Sequence, residues 1–480
     1  MKRIPSLRRS QNHRPLIEPL EARIAPAANN WIGVASGNWN TAGNWSDGVP
    51  TADDVVTINP AATLTITIDA GAQVAASVSM PGDDLLTISG GSLTLTAASV
   101  LHSLALGGSG SFFANAAVSL TGTGSFSGSA TLAGNSAVTV PGGATLGITS
   151  GDPNLQTELV DAGTIQHGNA FLDLDGAAAK VRVVSGGVYE TVTTGSGFSF
   201  RATNGTTGVF VETGAIFRQN TSNGADFSIG AGVPFAVNGG SVQATGASTS
   251  QLNLNGAGVF TNATLSPASG KLINFGNDNT VVGTLTGAGA GTVSLGSGQL
   301  HATAAGATLN FPAGLFSWNG SGSLSGPGVF TNAGTLQITG GDPNLLTELV
   351  NAGTIRHGNA FLDLDGATAK LRTISGGLYE TVTTGSGFSF HALNGTPGVF
   401  VEAGAIFRQA TTNGADFSIG AGVPFSVLTG GTVQTAGVGA SQLNLNGAGT
   451  FANAILSANA GTVISFGNDN TAATAPCKRS

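Results

Sequence analysis

Apolar positions along this chain come in short alternating runs. Val55-Val56-Thr57-Ile58, Leu64-Thr65-Ile66-Thr67-Ile68, Leu85-Leu86-Thr87-Ile88 and Leu93-Thr94-Leu95 alternate apolar residues with Thr or Ser and are rich in β-branched side chains, as half-buried strands require. Glycine pairs at Gly90-Gly91, Gly142-Gly143, Gly186-Gly187 and Gly239-Gly240 punctuate the runs and read as turns. No apolar run reaches the 18 or so residues of a membrane-spanning helix, and glycine does not recur at every third position as in collagen.

The runs themselves repeat. Residues 148–237 recur as 338–427, a shift of 190 positions, with sixteen of the 90 positions differing. After a one-residue insertion near Leu428, SQLNLNGAG at 250–258 recurs at 441–449, and FGNDNT at 275–280 recurs at 466–471. Short strands, tight corners and a long near-identical duplication predict an all-β chain wound as a right-handed parallel β-helix, or β-solenoid, rather than a sandwich. At roughly 20 residues per coil, the duplicated unit corresponds to about nine coils and the body to about 22, a rod on the order of 100 Å long at the strand spacing of a sheet. Asn262, Asn332 and Asn453, in related phrases, are candidates for amide ladders between coils.

Composition narrows the class. Gly numbers 75, charged residues are 9% and mean hydropathy is +0.22, which argues against a disordered chain. The formal net charge is −8. Residues 1–28 hold Lys2, Arg3, Arg8, Arg9, Arg14 and Arg23 against Glu18 and Glu21, so the head is +4 and the remainder −12. An acidic body gives no footprint for nucleic acid. The one cysteine, Cys477, cannot form an intrachain disulfide or a thiolate metal site.

Four regions follow. Residues 1–28 are a basic export or sorting segment, expected to be disordered and lacking the apolar stretch of an ordinary secretory signal. Residues 29–58 are a Trp-rich capping coil, residues 59–475 the solenoid body with duplicated segments 148–280 and 338–471, and residues 476–480 a tail. The end, TAATAPCKRS, carries neither cap nor anchoring tail, as expected of a fragment of a longer product.

Within IEPLEARIAPAA, Leu20-Glu21-Ala22-Arg23 resembles the LEPR-type motif that opens large repetitive surface proteins of planctomycetes and verrucomicrobia, though without a Leu-Leu pair after the Arg. The resemblance implies export to the envelope. NWIGVASGNWNTAGNWSDGVPTADDVVTI, with Trp31, Trp39 and Trp45, resembles the opening coil of bacterial β-helical adhesins and autotransporter passengers. The phrase around Trp318, FSWNGSGSLSGPGVFTNAGTLQI, is similar to coil segments of the same repetitive surface proteins.

Candidate chemistry is sparse. The three N-terminal Trp read as a cap over the first coil; the functional alternative is an aromatic platform for surface glycans. Asp173-Leu174-Asp175 and Asp363-Leu364-Asp365 place two carboxylates on one strand face, a weak candidate for Ca²⁺ against the simpler reading of a solvated face. A polysaccharide lyase or hydrolase would draw on Asp173, Asp175, Glu190, Glu212 and Asp226 with Lys180, Arg182 and Arg218, which show no tight cluster. His167 and His357, each before Gly-Asn, read as turn histidines; no zinc spacing, nucleophile elbow or phosphate loop is present. The sequence thus points to a non-enzymatic extracellular or cell-surface stalk or adhesin-like module, with no cofactor, no nucleic acid and no transmembrane segment. Surface glycans or envelope components are the partners it would meet. The alternatives are a polysaccharide-binding or polysaccharide-cleaving β-helix and an autotransporter passenger fragment.

Overall fold

The computed structural model describes residues 27–246, 249–467 and 470–473. The LEPR-like residues 20–23 and Cys477 lie outside them. The described chain is nearly all-β with almost no helix, a parallel β-solenoid of about 18 turns. The ladders between coils are parallel, and a strand pairs with the strand one coil before it and the one after it. A typical coil contributes one strand to each of three faces.

Inward positions stack coil upon coil. On the first face the column runs Val138, Leu159, Val181, Val209, Phe235. On the second it runs Leu146, Ile165, Tyr189, Phe217, Val242, Leu265. On the third it runs Phe200, Ile229, Leu254, Phe275, Leu295, Trp318. These side chains belong to one continuous buried core. Burying a side chain of this size contributes roughly 1.5–3 kcal/mol, repeated in every coil, so the rod needs no disulfide.

The turn count is lower than the sequence arithmetic because coils are longer than 20 residues where corners carry loops. The step is 19 residues from Ser99 to Val118 but 28 from Val181 to Val209. The expectation of about nine coils for the duplicated unit also fails. His167 lies in strand Thr164–Ala170, which pairs on the second face with Thr145–Gly151. Its counterpart His357 lies in Thr354–His357, which pairs on the third face with Thr335–Gly341. Following the pairings from Ile165 through Tyr189, Phe217, Val242 and Leu265, then strands Asp278–Gly287, Gln299–Asn310 and Phe330–Asn332 to Glu348–Asn351, passes eight turns. Ile355 then falls one face further on. The copies are therefore offset by eight turns and one face. Strands Asp278–Gly287 and Gln299–Asn310 each run unbroken around a corner and serve two faces. Gly283 (φ 68°) and Gly306 (φ 82°) supply the left-handed backbone that such a bend demands.

At the first coil, Trp31, Trp39 and Trp45 form a closed cluster. Trp31 and Trp45 meet edge to face at 5.0 Å, Trp39 and Trp45 at 4.8 Å, and Trp45 Nε1 donates to the Trp39 carbonyl at 2.6 Å. The outer edge of strand Ala27–Asn30 is not left open. Ser46 N donates to Asn30 O at 2.9 Å and Asn30 N to Ser46 Oγ at 2.9 Å, while Asn29 Nδ2 donates to Gly48 O at 2.8 Å. A short irregular segment thus blocks an edge that could otherwise template aggregation.

The amide-ladder expectation holds for one of three asparagines. Asn332 is buried and donates to Asn351 Oδ1 at 2.8 Å and to Thr354 O at 3.0 Å. Asn262 (φ 48°) and Asn453 (φ 46°) instead take left-handed corner conformations, which Asn adopts more readily than other side chains, and are exposed; Asn262 Oδ1 accepts the Thr284 backbone amide of the next coil at 3.0 Å, with no amide-to-amide contact among the described residues.

Candidate interaction surface

Outward side chains along the duplicated segments form short ladders of charge between coils. On the first face, Glu158 accepts from Lys180 at 3.2 Å and from Arg182 Nε at 2.6 Å, and Arg182 reaches Glu212 at 3.4 Å. Burial pushes the Glu158 carboxyl up, but hydrogen bonds and charge from Arg182 and Lys180 outweigh it and hold it below the usual range. The second copy repeats the set with Glu348, Lys370, Arg372 and Glu402, one face further round.

The second ladder differs between copies. Glu190 is met by Arg218 at 3.3 Å and by Asn220 Nδ2 at 3.0 Å, and Arg218 Nε donates to Gln243 at 3.1 Å. In the second copy Glu380 is met by Arg408 at 2.6 Å and by Arg356 Nε at 3.3 Å. Arg356 stands where the first copy has Gln166, and Ala410 where it has Asn220.

The proposed Ca²⁺ carboxylates are already engaged. Asp173 takes a fork from Arg201, at 2.6 and 3.0 Å. Arg201 also reaches Asp152 at 2.9 Å and lies 4.5 Å over the Phe171 ring. Asp175 accepts from Asn204, Asn154 and Gln156, amide contacts that hold its carboxyl low. In the second copy His391 replaces Arg201, 2.9 Å from Asp363 and stacked on Phe361 at 4.5 Å, and Asp365 accepts from Asn394. No group of three or more metal-ligating side chains occurs among the described residues. These aspartates are thus knitted into the ladders instead of being merely solvated.

The acids and bases considered for polysaccharide cleavage come together only as the Arg182–Glu212 and Arg218–Glu190 ion pairs, and are otherwise spread over different faces. Asp173 and Asp175 lie on the third face, Lys180 and Arg182 on the first, Glu190 and Arg218 on the second. Glu212 pairs with Arg182. Asp226 sits at a corner, where its carboxylate accepts the Gln251 amide at 2.7 Å. The glycan platform reading of Trp31, Trp39 and Trp45 is overturned by burial. They are 6%, 0% and 3% exposed, because the indoles pack on one another and on the first coil, leaving no face for a sugar ring.

His167 and His357 are likewise not turn residues. Both are completely buried and point into the core. Tyr189 OH lies 2.7 Å from His167 Nδ1, and His167 Nε2 lies 3.0 Å from Ala170 O. The second copy repeats the pattern with Tyr379 at 2.6 Å and Ala360 O at 3.0 Å. A carbonyl only accepts, so Nε2 carries the proton and Nδ1 accepts from the phenol. Burial pulls both imidazoles down to about 4, against a smaller upward effect of the carbonyl bonds.

One buried acid was not singled out from sequence. Asp161 is fully enclosed; its Oδ1 accepts the Gly163 amide at 3.1 Å and its Oδ2 has no partner. Burial pushes its carboxyl up to about 7, and amide bonds from Gly163 and Ile165 only partly offset that. The duplicate carries Asn351 here, whose Nδ2 donates to Leu378 O at 3.0 Å. The Asp-to-Asn difference between the copies was the signal in the sequence that could have found it.

Among the described residues no helix is long and apolar enough to cross a membrane. No protein-family model matches the chain, and no curated protein matches it. Among solved structures, the TibC-catalysed hyper-glycosylated TibA55-350 fragment is similar at 15% identity, covering 75% of this chain and 99% of that one, with a TM-score of 0.25. So loose a likeness carries no functional weight. The class is defined by the coils themselves: a three-faced parallel β-solenoid.

Proposed function

We propose that this chain is a non-enzymatic rod displayed outside the cell or on its surface, a stalk or adhesin-like module. The observation that carries this reading is how the outward polar groups are used. Most carboxylates of the duplicated segments are joined to cations or amides of neighbouring coils, which stiffens a long body and ties up groups that a catalytic site would need free. Surface ion pairs of this kind each contribute about 0–1 kcal/mol, yet they recur along the rod. A long face with repeated features suits many weak contacts in parallel. The resemblance of residues 20–23 to an envelope-export motif and of residues 30–58 to adhesin opening coils supports the same placement.

Protease shaving of intact cells tests the proposal. Release of solenoid fragments is expected. Complete protection until the cells are lysed would sink the surface assignment. Incubation of the purified chain with a panel of polysaccharides tests the rival reading, because new chain ends would mean catalysis.

A further inference from the structure

The two copies share a shallow groove at the corner after the His strand, and the sequence has diverged there. In the first copy it measures ≈ 260 Å³ and is lined by Thr149, Gln166, Val192 and Thr194 among others. In the second it measures ≈ 380 Å³ and is lined by Gln337, Thr339, Arg356, Val382, Ala410 and Thr412, with Ile338 and Gly358 beneath. Three of the sixteen differences between the copies fall on this lining: Gln166 against Arg356, Asn220 against Ala410, and Ser222 against Thr412.

We propose that the groove of the second copy binds a carboxylate-bearing sugar and that the groove of the first copy does not. The inference rests on reading the rod as a surface module and names one ligand class for it. Arg356 is 47% exposed, and its Nε is 3.3 Å from Glu380 Oε2. Its terminal nitrogens make no hydrogen bond among the described residues, and its one ion-pair partner there is Glu380. A guanidinium in that state presents the fork that matches a carboxylate. Glu380 is already neutralised by Arg408 at 2.6 Å, so the local balance is one positive charge more than around Glu190. In the first copy Gln166 offers no cation, and Asn220, in the place of Ala410, is bonded to Glu190 at 3.0 Å.

The rest of the lining suits a sugar. Thr339, Thr412 and Gln337 bring hydroxyl and amide groups to the lining, and Val382 and Ala410 bring apolar surface. A few polar groups over an apolar surface is the usual make-up of a small-molecule site, and the volume falls at the low end of that class. An acidic peptide is a poorer match. Peptides gain much of their affinity by adding a strand to a free sheet edge, and the strands flanking the groove are paired on both sides.

Equilibrium dialysis of the full chain with trigalacturonate, against neutral maltotriose and triglutamate, tests the proposal. The variants are Arg356→Gln, which installs the first copy's residue, and the double change Gln166→Arg with Asn220→Ala, which installs the second copy's. Each substitution is native to the other copy, and melting curves check that folding is retained. One trigalacturonate per wild-type chain is expected, with at least a tenfold loss in Arg356→Gln, two sites in the double variant, and weakening by salt. Unchanged binding in Arg356→Gln would overturn the site. Equal uptake of maltotriose or triglutamate would overturn the ligand class. So would no uptake by the wild-type chain up to about 10 mM, the weak end for a single sugar contact. Shaving separates this from the broader reading: a surface-exposed chain that ignores trigalacturonate loses only the site, and a protected chain that binds it loses only the surface role.

Discussion

The hydroxyl of Tyr189 donates to Nδ1 of His167 across 2.7 Å, from one coil to its neighbour, in a fully buried part of the core. Phe200 and Phe227 stand edge-on around the imidazole, and Tyr379 and His357 repeat the pair eight turns and one face further on. The arrangement holds only while the imidazole is neutral, because a protonated Nδ1 would turn a proton toward the phenol oxygen in a dry setting.

This gives the first prediction. The folded-state value of each histidine is about 4, below the usual 6.5. The stability they confer is therefore complete above pH 6.5 and lost as pH falls through 4, up to about 3 kcal/mol per histidine. The protection factors at the coils around residues 165–191, taken relative to the intrinsic exchange rate at each pH, should fall between pH 6 and 4. In Tyr189→Phe the stranded nitrogen should cost about 1–3 kcal/mol at pH 7. Protection factors indifferent to pH in that window would refute the assignment.

Asp161 predicts the opposite slope. Its folded value of about 7 lies above the usual 3.8, so stability declines as pH rises from the ordinary value through 7. Above that the penalty is full, up to about 4 kcal/mol. Asp161→Asn, which copies Asn351, should raise the melting temperature at pH 8 and have little effect at pH 4. The converse change, Asn351→Asp, should make the second copy sensitive to alkali. Equal melting shifts at both pH values would show that the carboxyl is not the cause.

Close stacking makes certain glycines irreplaceable. A Cβ on Gly328 would lie 1.8 Å from the Thr303 carbonyl oxygen of the preceding coil, a contact that only a backbone shift can relieve. Gly328→Ala should lose about 1–3 kcal/mol, the usual cost of overpacking a core. A melting temperature within a degree of wild type would contradict the register between those coils.

Removal of the Trp39 side chain should act locally. The indole is wholly buried between Trp45 and the first coil. Trp39→Ala should cost about 3–5 kcal/mol there and expose the edge at residues 27–30. Because a solenoid is stabilised by nearest neighbours, limited proteolysis should cut near the first coils and leave the duplicated segments intact. Cleavage spread evenly along the rod would argue that the Trp cluster is no cap.

The parallel β class was legible because alternation in Leu64–Ile68 or Leu93–Leu95 depends only on which side of a strand a residue faces. The duplication was legible because the copies remain near-identical. The facing of each strand was not, since corners such as the 28-residue step from Val181 to Val209 hide coil length from any average. That is why His167 read as a turn residue: its partner Tyr189 is 22 positions away, a separation that means contact only once the local coil is known. The Trp residues misled for a related reason, because composition cannot say which side of an indole another indole covers. Arg356 went unremarked because duplication draws attention to sameness, whereas the informative positions are those where the copies part.

The fractional offset between the copies makes repeat number an angular setting. Each further insertion of the same unit would lengthen the rod by roughly 40 Å at the spacing of stacked strands and swing everything beyond it by a third of a revolution. Three insertions would bring the original bearing back. Unequal recombination in such a gene would thus do more than lengthen its product: it would re-aim the distal end, and siblings differing by one unit would point the same tip in different directions.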